Sequence, residues 1–230
     1  QFLKLWFRVP RPWVKDKNFT IVESARGEAT GYSFPSGHTQ SSVGVFGGIA
    51  RFNKNLWLRI ICITACVLVP FSRMYLGVHT PADVVVSLVF SLILIFGLYP
   101  LIQKCFDNQK VMRILLISMV VLSLGLLLFV SFYNFPSNVD TANLESGTKN
   151  AYKMLGCTLG ILIAFEIDNK FIKFETGGNL LSQILKFSLG IIPLLAIKAG
   201  LKAPLYALLD GSFLADGIRY LLIVLFAGCV

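Results

Sequence analysis

Apolar runs of about 20 residues recur along almost the whole of this chain, each long enough to cross a hydrocarbon core roughly 30 Å thick as a helix. In lipid, every backbone N–H and C=O must be bonded within the chain, so such runs fold as helices or as a closed barrel. Their length and lack of strict alternation select helices. Composition agrees: 55% of the 230 residues are hydrophobic and only 14% are charged, with mean hydropathy +0.72. The expected fold is all-α, a polytopic transmembrane bundle.

Residues 1 to 35 are polar and aromatic, and Pro10, Pro12, Gly27, Gly31 and Pro35 punctuate them, so mostly loop with short helical pieces is expected. Spans are expected at about 36–52, 56–72, 81–100 (ending at Pro100), 111–132, 151–167, 180–200 and 204–230. Asp210, Asp216 and Arg219 weaken the last, which reads equally as two shorter pieces. The connection "NFPSNVDTANLESGTKN" has no apolar period and reads as an exposed loop. Gly44 and Gly48, and again Gly156 and Gly160, have the spacing that lets helices approach closely in lipid. The chain has no initiator Met and no leader with a cleavage site, and it stops inside "YLLIVLFAGCV", so it reads as a piece of a longer protein.

A net charge of +9 raises nucleic acid as a partner, but Lys and Arg in so apolar a chain mark cytoplasmic loops or bind phosphate. Cys62, Cys66, Cys105, Cys157 and Cys229 have no metal-type spacing and read as packing residues.

Polar chemistry concentrates in three segments: "KLWFRVPRP" at 4–12, "PSGH" at 35–38 and "SRMYLGVHTPAD" at 72–83. As spacings these are K-x6-R-P, P-S-G-H and S-R-x5-H-x3-D. Lys4, Arg11 and Arg73 supply three cations, and an arginine can grip phosphate oxygens two at a time. Ser36 and Gly37 open a helix whose unpaired backbone donors suit an oxyanion. His79 and Asp83 are four apart, and a carboxylate on one imidazole nitrogen fixes the tautomer and leaves the other free to attack phosphorus. Read singly, each has a plainer account: Asp83 and Ser36 as helix caps, the cations as interfacial residues, the histidines as structural. Those accounts do not explain why all three groups fall at polar ends of apolar spans. Crossing at 36–52 and back at 56–72 returns the chain to the face where "PSGH" began.

In order and spacing the three motifs resemble the signature of the type 2 phosphatidic acid phosphatase family, grouped with the vanadium haloperoxidases and bacterial non-specific acid phosphatases. The resemblance covers about 4–100. It implies a phosphatase core, expected at 1–105, and an active site at helix ends on one membrane face, and it leaves the further helical region expected at 106–230 without an assigned role. It also implies that His79 becomes a phosphohistidine, while His38 protonates the leaving oxygen and later takes a proton from water. The expected activity is hydrolysis of a lipid phosphate monoester or diphosphate without metal or other cofactor, its partners being that substrate and the surrounding lipid. A lipid phosphotransferase, a vanadate-dependent haloperoxidase and a non-catalytic lipid-binding or transport protein are the alternatives.

Positive charge sets the expected orientation. Arg51, Lys54 and Arg59, then Lys104, Lys110 and Arg113, then Lys170 and Lys173 fall on the face opposite "PSGH". The catalytic face, its motif cations apart, has Lys149, Lys153, Lys198 and Lys202 set against Asp140, Glu145 and Asp210. The site is therefore expected outside the cytoplasm, in a multi-pass protein of the cell membrane.

Overall fold

The computed structural model describes residues 1–137, 139–174 and 177–229. Asn138, in the expected exposed connection, and Val230, the end of the last expected span, lie outside the described residues. The chain divides into two compact units, Gln1–Asn108 with Asn138–Ser146, and Gln109–Ser137 with Gly147–Val230. Among the described residues all regular structure is helical.

The first unit opens with α1 (Phe2–Phe7) and α2 (Pro12–Lys15), followed by a single 3₁₀ turn at Glu23–Ala25. A helical segment then runs from α3 (Gly37–Ser42) through a π turn at Val43–Gly47 into α4 (Gly48–Phe52). Two long helices pack against it, α5 (Leu56–Tyr75) and α6 (Pro81–Asp107). The Asn55 side chain caps α5 by accepting from the Leu58 N–H at 3.2 Å. The second unit holds α7 (Gln109–Phe132), most of α8 (Thr141–Ile167), α9 (Leu180–Gly200), α10 (Lys202–Leu208) and α11 (Leu214–Cys229).

Among the described residues, four stretches are long and apolar enough to cross a membrane: Leu56–Tyr75, Pro81–Asp107, Gln109–Phe132 and Leu180–Leu208. Their outward faces carry large apolar side chains such as Trp57, Ile61, Phe96, Leu122 and Leu180, all exposed. Only lipid satisfies that much apolar surface. The protein is a multi-pass membrane protein.

Three expectations are corrected. α6 does not stop at Pro100 but continues to Asp107; proline removes one backbone donor, a loss that a long helix in lipid tolerates. The connection after α7 is half helix, because Asp140 accepts from the Asn143 N–H at 2.8 Å and starts α8 at Thr141, ten residues before the expected span. Gly44 and Gly48 do not mark a close helix approach, since a Cβ on either would meet nothing within 4 Å. They line an apolar groove instead.

Gly156 and Gly160 do mark one. A Cβ at Gly156 would lie 2.0 Å from the Gly217 carbonyl oxygen, and one at Gly160 would lie 2.9 Å from that of Leu221, so α8 and α11 meet backbone to backbone. The last expected span is broken into α10 and α11 by Asp210 (φ 49°) and Gly211 (φ 76°).

Candidate active site

All eight residues singled out from the sequence lie in the first unit. Arg11, Ser36, His79 and Asp83 are buried, Lys4 and Arg73 partly so, and His38 is exposed. A polar cavity of about 250 Å³ is lined by Arg11, Glu28, His38, Arg73 and His79, with 3₁₀-turn residues Ser24 and Ala25 on its wall. It brings together the start of α3, the last turn of α5 and the loop before α6. Residues 11, 38, 73 and 79 are distant in sequence and meet only there.

His79 is held from both sides. Its Nδ1 lies 3.5 Å from the Asp83 Oδ2 and 3.3 Å from the Ser33 Oγ, while its Nε2 lies 3.0 Å from the Arg11 Nη1. A guanidinium can only donate, so the Nε2 facing it carries the lone pair and the proton sits on Nδ1, toward the carboxylate. Burial pushes the imidazole below its ordinary pKa of 6.5, against the opposing pull of Asp83. At neutral pH the ring is uncharged, with its lone pair on the cavity side.

The same Asp83 oxygen also accepts from Ser33 Oγ at 2.6 Å and from the Thr80 N–H at 2.8 Å. Thr80 Oγ1 accepts in return from the Asp83 N–H at 3.3 Å, which completes a capping box at the start of α6. Asp83 therefore caps its helix and faces His79 at once. The cap fixes the carboxylate, and the carboxylate fixes the imidazole. Gly77 (φ 71°) shapes the approach: a Cβ there would lie 2.5 Å from the Thr20 carbonyl oxygen, and the Val22 N–H bonds Leu76 O at 3.2 Å.

Arg11 is committed differently from Arg73. Its guanidinium donates to Thr30 O (2.8 Å), Gly31 O (3.0 Å) and Val78 O (2.9 Å) besides facing His79, which occupies four of the five donors of an arginine. It ties the N-terminal segment to the catalytic loop, and burial brings its pKa down to about 10, still charged at neutral pH. Among the described residues the Arg73 side chain makes one long hydrogen bond, Nε to Ser72 Oγ at 3.4 Å, which leaves its terminal nitrogens open to the cavity.

Lys4 donates to the Tyr32 carbonyl and lies beside Gly37, where a Cβ would stand 3.9 Å from Lys4 Cε. Burial, and then the neighbouring Arg11 charge, bring its ammonium down to about 7. Ser36 caps α3: its Oγ accepts from the Thr39 N–H at 3.4 Å and the Thr39 hydroxyl at 3.0 Å, while its own N–H bonds Asp83 O at 3.3 Å. The donors that α3 leaves unpaired in its first turn are those of Gly37 and His38.

Sequence reasoning passed over Ser33 and Glu28. Ser33, 1% exposed, touches both members of the His79–Asp83 pair. Its place two residues before the "PSGH" segment was the one available signal. Glu28 puts a carboxylate on the cavity wall opposite the cations. Among the described residues no three His, Cys, Asp or Glu side chains gather as a metal site.

No curated protein and no solved structure matches the chain. Two family models do: the PAP2 superfamily over residues 1–107, and the PAP2 superfamily phosphatase transmembrane extension over 152–230. The first takes in every residue of the cavity; the second lies within the helices that follow. Together with the apolar spans, they make the chain a membrane phosphatase of the PAP2 superfamily, the family of type 2 phosphatidic acid phosphatases, with that family's transmembrane extension.

Proposed function

We propose that the protein hydrolyses a lipid phosphate monoester or diphosphate through a phosphohistidine on His79, at the extracytoplasmic face of the cell membrane and without a metal. The observation that carries this is the neutral His79, fixed by Asp83 and Ser33, whose Nε2 accepts from Arg11 Nη1 beside a cavity that Arg73 also lines.

A phosphoryl group entering the cavity offers its oxygens to Arg73, Lys4 and the free donor of Arg11, and it competes with His79 Nε2 for the Arg11 Nη1 proton. The released lone pair attacks phosphorus and the P–O bond to the lipid breaks. His38 gives a proton to the departing alkoxide. Water then attacks phosphorus while His38 takes its proton, the P–N bond breaks with its electron pair returning to His79 Nε2, and phosphate leaves. Fixed cations favour the charge spread over the equatorial oxygens during each transfer.

The lipid character rests on the apolar groove of about 330 Å³ between the 37–52 segment and α6. Gln40, Gly44, Gly48 and Phe52 line one wall, and Phe90, Leu94 and Leu98 the other. Gln40 on the groove and His38 on the cavity belong to the same helix, α3, so a headgroup at the cavity and a tail in the groove would share that helix. The test is phosphate release by the purified protein from phosphatidic acid, phosphatidylglycerophosphate and undecaprenyl diphosphate, with and without EDTA. Release that persists in EDTA from at least one lipid supports the reading; activity lost in EDTA and regained with Mg²⁺ rejects its metal-free chemistry.

The lowered pKa of Lys4 gives a pH signature. A lysine near 7 loses its charge as pH rises through that value, so kcat/KM, which reports the free enzyme, should fall on the alkaline side of about 7. Bound phosphate draws the lysine back up, so kcat alone should fall at higher pH. In Lys4→Arg the cation does not titrate, and the alkaline limb of kcat/KM should move up by more than one pH unit. An unchanged limb would remove Lys4 from phosphate binding.

Orientation is checked by labelling intact cells, in a background lacking the native cysteines, with a charged, membrane-impermeant thiol reagent. A cysteine at Ser137 should react directly, whereas one at Asn53 should react only after the membrane is opened. Both native side chains are exposed. The reverse pattern puts the cavity in the cytoplasm and excludes outer-leaflet lipids.

A further inference from the structure

The second unit contains a cluster of charged side chains that the catalytic reading does not use. Asp216 is fully buried and Arg219 is 8% exposed. One Asp216 oxygen accepts from Arg219 Nη2 at 2.7 Å. The other accepts from the Tyr206 hydroxyl and lies 3.5 Å from Lys149 Nζ. Lys153 has Asp216, Lys149, Arg219 and Lys202 as its electrostatic neighbours. Arg219 and Lys149 thus pair with one buried carboxylate, and Lys153 and Lys202 add further positive charge nearby.

A structural ion pair joining the ends of α10 and α11 explains Asp216, Arg219, Tyr206 and Lys149, but it leaves Lys153 and Lys202 unexplained. Aromatic faces add to these contacts: Lys153 Nζ lies 5.4 Å from the centre of the Tyr220 ring, Arg219 Cζ lies 5.5 Å from the same ring, and Lys149 Nζ lies 5.7 Å from that of Tyr206. Two cations converging on Tyr220 repel each other unless an anion lies between them. Arg219 Nε is buried and has no hydrogen-bond partner among the described residues. A guanidinium at that depth with an unmet donor is costly, and an acceptor oxygen with negative charge removes the cost.

We propose that Lys149, Lys153, Lys202 and Arg219 form a second oxyanion site, in the transmembrane extension, whose ligand is a phosphate group. The tight crossing of α8 and α11 at Gly156 and Gly217 sets Lys153 on one helix beside Arg219 on the other. Asp216 positions the guanidinium and the Tyr206 hydroxyl while leaving the cluster net positive. Lys202 begins α10, at the end of the apolar Leu180–Leu208 stretch, where a helix reaches the interface and lipid headgroups lie. The inference does not rest on the phosphatase reaction. Generic attraction of lysines to anionic lipid differs from it in being unsaturable and indifferent to which lysine is removed.

The experiment uses the full chain carrying His79→Ala, so that ligand is not turned over, titrated calorimetrically in neutral detergent with inorganic phosphate and separately with dioctanoyl phosphatidic acid. Two saturable binding events are expected with at least one of these probes. Lys153→Gln combined with Lys202→Gln, which leaves the Asp216–Arg219 pair intact, should weaken one event by about tenfold or more. Arg73→Ala should weaken only the other. Response of the second event to both probes makes the phosphate group alone the ligand, whereas response to phosphatidic acid alone makes it a lipid headgroup. A single event abolished by Arg73→Ala, or a second event indifferent to the lysine changes, overturns the proposal. Failure of the catalytic reading would look different: the lysine-dependent event would remain and the Arg73-dependent one would be missing.

Discussion

His79→Ala should abolish phosphate release, lowering turnover by at least ~10⁴-fold, the scale seen when a covalent catalyst loses its nucleophile. The size follows from the geometry. His79 Nε2 faces Arg11 at 3.0 Å on the cavity side, and its other nitrogen is fixed by Asp83 and Ser33, so the ring is set up to attack and is not interchangeable with the exposed His38. The fold should survive. The capping box of α6 and the Ser33–Asp83 bond do not pass through the imidazole, so a melting curve in detergent should change little. Rapid quenching with labelled substrate should trap acid-labile, base-stable phosphate on the wild-type chain and none on the variant. Turnover within tenfold of wild type in well-folded His79→Ala would refute the nucleophile assignment.

Arg73→Ala should lower kcat/KM by ~10² to 10³-fold, the usual consequence of removing one preorganised donor from a developing oxyanion, with melting close to wild type. Arg73 is the cavity cation with least structural commitment, its single long bond being to Ser72. Arg73→Lys keeps the charge but loses the planar fork, so it should recover only part of the activity. Arg11→Ala makes the contrast: it strips the donor from Thr30, Gly31 and Val78 carbonyls and should lower the melting temperature along with activity. Equal loss of stability in the two variants would mean that Arg73 is a structural residue and that phosphate is bound elsewhere.

The Asp83 carboxylate shows why the plain and the functional readings of a sequence need not compete. From the spacing T-P-A-D, a capping box and a histidine-orienting carboxylate were rival accounts of one residue; in the structure both use the same oxygen, because the start of α6 is what carries the carboxylate to His79. Ser33 was overlooked for the opposite reason. A lone serine in a loop has no periodicity or partner spacing, and its role exists only because residues 33 and 83 are brought together.

The amino-acid sequence determined the all-helical membrane fold and the eight candidate residues, because a long apolar run without strict alternation satisfies its backbone in lipid as a helix and because charged groups in such a chain are too costly to be placed without a use. Tertiary structure decided what those residues touch. It turned Arg11 from a free phosphate ligand into a clamp with one open donor, opened the Gly44–Gly48 face as a groove while closing the Gly156–Gly160 face against α11, and brought Lys149 and Arg219 to Asp216. The reason is the same in each case: a helical period fixes which face a side chain occupies, whereas the neighbour on that face comes from a distant segment, and hydrogen bonds and close packing act only at the few ångströms that folding creates.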